Sequence, residues 1–74
     1  MPNKVNLISA EIAEEFNKAV IAAAGNAEKL DEARRQVVSR MIKAHDLQWY
    51  NGHRGAIRAE MEAIERGRYE QLYS

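Results

Sequence analysis

From Ala27 to Tyr50 the sequence carries two apolar stripes when read at about 100° per residue. One is Leu30, Ala33, Val37, Met41 and Ala44; the other is Val38, Ile42 and Trp49, with His45 between them. A helix packed on a single neighbour needs only one such stripe. Two stripes imply two neighbours, so this stretch is the expected long central helix of an all-α fold: a small three-helix domain, or a helical hairpin, in one domain over residues 1–74.

The flanking sequence supplies the neighbours. Met1 to Asn6 reads as an irregular lead-in, and Asn6 or Ser9 can cap the helix that follows. Ile12, Phe16, Ala19, Val20 and Ala23 then form one stripe, with Glu11, Glu14 and Glu15 near the positive end of the macrodipole. Gly25 and Asn26 read as a stop and a restart, giving a tight αα-hairpin. Asn51, Gly52 and Gly55 predict a break after the central helix, the competing reading being a continuous helix in which each glycine costs about 1 kcal/mol. Ile57, Met61, Ile64 and Leu72 mark a third apolar stripe. The expected helices therefore cover about 9–24, 27–50 and 54–72. Met41 should sit at the heart of the core, and Tyr69 and Tyr73 beside the Gly25 turn. Arg58, Glu62, Arg66 and Glu70, four residues apart, read as a solvated charge ladder, while Ala59, Ala63 and Gly67 leave a smooth face beside it.

The chain has 74 residues and no cysteine, so no disulfide or thiolate site can staple the roughly 60% of unfolded surface that a domain of this size buries. Val38, Ile42, Ile21 and Leu47 add apolar surface beyond the three stripes, which predicts a homodimer. No signal-peptide pattern and no run of about 20 apolar residues is present, so the expectation is a cytoplasmic protein with no membrane partner. Eleven basic and eleven acidic residues balance overall but not locally. Residues 1–33 hold three lysines and six acids, whereas Arg34 to Arg58 holds Arg34, Arg35, Arg40, Lys43, Arg54 and Arg58 against Asp46 alone.

No catalytic pattern emerges. Ser9 reads as a cap, Ser39 lies on a polar face and Ser74 is terminal. His45 and His53 are eight residues apart and converge on a metal only if the chain folds back between them. Gly52 and Gly55 lack the surroundings of a phosphate loop, and the basic residues of the central helix point in several directions, against a DNA-reading helix. The expectation is a non-enzyme with no catalytic residue, metal or cofactor.

The densest cluster of hot-spot residue types is Leu47, Trp49, Tyr50, His53 and Arg54. It predicts a binding and regulatory module that meets an unidentified protein through this aromatic corner and inhibits another macromolecule. The alternative is an anion, nucleotide or nucleic-acid binder using Arg34, Arg35, Arg40, Lys43, Arg54 and Arg58, with Tyr50 or Trp49 as a stacking platform. The composition is similar to that of small helical phage-encoded accessory proteins, antitoxins and anti-defence inhibitors, a likeness that no motif carries.

Overall fold

The computed structural model describes residues 6–73, and four helices account for most of them with no strand. The lead-in expected over Met1–Asn6 thus falls, Asn6 apart, outside the described residues. Helix α1 (Ala10–Ala23) starts where the sequence placed it, the Ser9 hydroxyl accepting a hydrogen bond from the Ile12 amide at 3.3 Å. It ends at Ala24 and Gly25, both left-handed with φ of 50° and 85°. Asn26 then caps α2 (Ala27–Ala44), its side-chain oxygen accepting from the Lys29 amide at 3.0 Å. The expected hairpin is present.

The central helix, however, stops at Ala44 and not near Tyr50. Asp46 adopts extended backbone, and its carboxylate accepts from the Trp49 amide at 2.6 Å, capping a new helix, α3 (Leu47–Glu65). That helix passes through Asn51, Gly52 and Gly55 without interruption, so the break expected there lies instead at His45 and Asp46. The reason is a balance between local and tertiary preference. Gly52 and Gly55 are solvent-facing with open space around them, so continuing the helix costs only the glycine penalty, about 1 kcal/mol each. In return it brings Trp49 and Tyr50 upstream and Ile57, Met61 and Ile64 downstream onto one core.

A second correction concerns the end of the third helix, which closes at Glu65 and does not reach residue 72. Gly67, at φ 82°, donates to the Ile64 carbonyl at 2.9 Å, and Arg68 donates to the Ala63 carbonyl at 3.0 Å. This pair of bonds is a Schellman stop. It redirects the chain into the short α4 (Tyr69–Tyr73), which packs on α1 and α3. Tyr73 consequently sits beside the start of α1, not at the Gly25 turn: its hydroxyl donates to the Ile8 carbonyl at 2.8 Å. Burial and then the Glu60 charge push the Tyr73 phenol well above its ordinary range, which keeps that donor protonated. Glu60 meanwhile accepts from the Leu7 and Ile8 amides at 2.8 and 2.9 Å, so the segment leading into α1 is held by both later helices.

The core is the meeting line of the three long helices. Ile8, Ile12, Ala13 and Phe16 face Ala33, Val37 and Met41 from α2 and Ile57, Met61 and Ile64 from α3. Met41 is 1% exposed, at the centre as expected. No described helix is long and apolar enough to cross a membrane. The position of the break is testable by substitution. Because Gly52 lies in an exposed helix interior, Gly52→Ala should stabilise the fold by about 0.5–1 kcal/mol in denaturant unfolding. A loss of that size would put a turn at Asn51–Gly52.

Candidate functional site

Starting α3 at Leu47 divides the aromatic cluster between two faces. On one, Trp49 is stacked between two imidazoles, with His45 at 3.7 Å and His53 at 4.2 Å between ring centroids. His53, one turn on, places Nδ1 2.7 Å from the Trp49 carbonyl oxygen and donates its proton there. Trp49 is half-buried and packs against the core, while His45 is exposed. Leu47, at the same helix end, is 57% exposed. Among the described residues no group of three or more His, Asp or Glu side chains could hold a metal ion.

Tyr50 and Arg54 turn the other way, into a groove of about 490 Å³ between α2 and α3. Tyr50, Arg54 and Arg58 fall four residues apart along the α3 wall, continuing through Glu62 to Arg66. The α2 wall is Arg34, Arg35 and Val38. Val38 is half-buried and Met61 buried, which gives the groove an apolar floor. No α1 residue lines it. On α2 the groove residues are rotated by about 100° from the core stripe that meets α1, so the groove opens on the side away from that helix.

Five arginines therefore stand against two glutamates on the walls. Their states differ. Arg34 forms a two-pronged bridge to Glu65, Nε to Oε2 at 2.9 Å and Nη2 to Oε1 at 2.7 Å, and also reaches Asp31 at 2.9 Å. This clamps α2 to α3 across the inner end of the groove. The hydrogen bonds from Arg34 hold the Glu65 carboxyl below the usual carboxylate range despite desolvation, and the same bonds raise the Arg34 guanidinium above its own. Arg35 reaches Glu32 at 3.3 Å on the rim. Arg54, Arg58 and Arg66 are exposed and form no ion pair with any described residue. Arg58, Glu62 and Arg66 do not bridge one another, although the ladder spacing would allow it.

Of the six basic residues expected to form an anion site, the fold thus gathers Arg34, Arg35, Arg54 and Arg58. It removes the other two. Arg40 is turned to α1, where it pairs with Glu15, and Lys43 is exposed at the far end of α2 outside the groove. Arg66, Val38 and Met61 join the site without having been expected there. Only Arg66 had a signal of its own, the four-residue spacing from Tyr50, which becomes one stripe when Leu47–Glu65 is read as a single helix; Val38 and Met61 enter through the packing of α2 on α3.

No family model, curated protein or solved structure matches the chain.

The clamp makes a pH-dependent prediction. A carboxyl whose folded pKa is depressed stabilises fully above its unfolded pKa of about 4.3 and loses that contribution as pH falls through the folded value. Because the Arg34 side chain is 41% exposed, solvent screening limits the effect. Glu65→Gln should cost about 0.5–1 kcal/mol at neutral pH and flatten the loss of stability below pH of about 4. An unchanged acid limb in urea melts across pH would show that the bridge contributes nothing.

Proposed function

We propose that this chain is a small non-enzymatic binding module that acts by occupying a partner's surface, and that its docking surface is the arginine-lined groove between α2 and α3. The observation that carries the reading is the presence of three exposed arginines, Arg54, Arg58 and Arg66, without ion-pair partners among the described residues, beside an apolar floor. In a chain whose formal charge is zero, cations concentrated in one concave place favour anionic groups there. Arginine suits this use, since its planar fork engages carboxylate or phosphate oxygens two at a time. In this reading the stacked His45–Trp49–His53 column supports the groove by fixing the start of α3.

Homodimerisation is the second reading, favoured by Ile21 and Leu47, which are 70% and 57% exposed. These two lie outside the groove, so a dimer through either leaves the groove open. Light scattering that gives one chain's mass over a wide dilution series would remove this reading.

The groove reading is tested with a featureless anionic probe. The full chain should be retained on immobilised poly-L-glutamate at low salt and elute as ionic strength rises. Arg54→Ala with Arg58→Ala should elute much earlier, while Lys43→Ala, outside the groove, should match the unmodified protein. Equal elution of all three would overturn the reading.

A further inference from the structure

The walls of the groove carry a pattern of charge as well as an excess of it. Along α3 and its C-cap residue the charges that line the groove run Arg54, Arg58, Glu62, Arg66, at a rise of about 6 Å per step. The same pitch separates i, i+4, i+8 and i+12 on any α-helix laid alongside. Between the walls, half-buried Val38 offers apolar surface to whatever lies along the seam, and the buried Met61 closes the floor beneath it. A third helix packed over two others meets both kinds of surface at once, with apolar residues on the floor and charges along the rim.

We infer that the groove docks an acidic amphipathic helix of a partner protein, whose side chains at four-residue spacing present two carboxylates to Arg54 and Arg58, a cation to Glu62 and a carboxylate to Arg66. This rests on the groove being a binding surface and adds what it binds. Glu62 is the residue that separates the possibilities. It is exposed, lines the groove between Arg58 and Arg66, and has no ion-pair partner among the described residues. A single nucleic-acid strand carries a negative charge at every step and must set a phosphate against it, whereas a peptide can put lysine there. Nucleic acid is also poorly served by one aromatic wall residue, Tyr50, where single-strand binders stack successive bases.

A second copy of this chain fits less well. Groove against groove about a two-fold axis sets arginines on arginines. The outer face of α1 carries Glu11, Glu14 and the exposed Ile21, but Lys18 bridges Glu14 there, so its charge complementarity to the groove is slight. No α1 residue lines the groove, so that pairing would also run head to tail and make open chains or rings, not a two-fold pair.

The test uses the full-length chain and a labelled synthetic peptide of about four helical turns, bearing Glu, Glu, Lys and Glu at four-residue spacing beside a leucine stripe. Binding is read by fluorescence anisotropy. Arg54→Ala and Arg58→Ala should each weaken the complex by about tenfold. Glu62→Lys should weaken it similarly, and replacing the peptide lysine by glutamate should restore binding to that variant alone. All three positions are exposed, and circular dichroism confirms that each variant is folded. Equal binding of a glutamine version of the peptide, or failure of the Glu62→Lys swap to rescue, would overturn the inference. So would tighter binding of an oligo-dT strand, or concentration-dependent chains in sedimentation that the peptide cannot dissolve. If poly-L-glutamate retention still depends on Arg54 and Arg58 while the patterned peptide shows no preference, the helix is excluded and the anionic groove stands.

Discussion

Asp46 determines what the second half of this chain can become. With its carboxylate on the Trp49 amide, the backbone leaves one helix at Ala44 and starts another at Leu47, with only His45 and Asp46 between. So short a connection keeps the start of α3 against the end of α2, and the Arg34–Glu65 bridge ties the two helices again farther along. Were the helix to continue straight to Tyr50, Trp49 would lie on α2, and the stripe of Ile57, Met61 and Ile64 would enter the core in another register. The stacking of His45 and His53 on the two faces of Trp49 reinforces the corner from both sides of the break. A thin core makes such local devices matter. Among the described residues eleven hydrophobic side chains are buried, four of them alanine or valine, and the rest of the stability must come from caps, turns and clamps.

The same geometry separates two jobs among the polar residues. Where two helices need fixing to each other, a carboxylate is supplied: Glu65 to Arg34 across α2 and α3, Glu15 to Arg40 across α1 and α2, and Glu60 to the amides leading into α1. Arg54, Arg58 and Arg66 have none among the described residues. Exposed arginines without partners are ordinary on a protein surface when scattered. Here they share one wall of one groove with an aromatic ring and an apolar floor, and the docking proposal rests on that concentration.

Much of the fold was legible because it depends on local rules. Ser9 and Asn26 cap where their side chains predict, Gly25 turns the chain, and the stripes through Phe16, Val37 and Met41 are buried. The break was misplaced because two local signals competed. Asn51–Gly52 is the stronger turn sequence, but Asp46 is an N-cap whose weight depends on what α3 buries, which a window of sequence does not contain. The site inherited that error. Read from residue 54 onward, the third helix loses Tyr50, and the ladder from Arg58 to Arg66 looks like a plain solvated face. Read from Leu47, the same residues form a continuous wall. Arg40 shows the converse, since nothing local distinguishes it from Arg34, and only the packing of α1 turns it toward Glu15.

The central claim is that the seam opened by the Asp46 corner is the surface through which this molecule binds. Residue-by-residue NMR shift mapping during titration with the acidic helical peptide examines it most directly. The account predicts that changes concentrate at Val38, Tyr50, Arg54, Arg58 and Arg66, with Glu14 and Ile21, outside the groove, undisturbed. Changes centred on Ile21 or Leu47, with the α2–α3 groove silent, would contradict it.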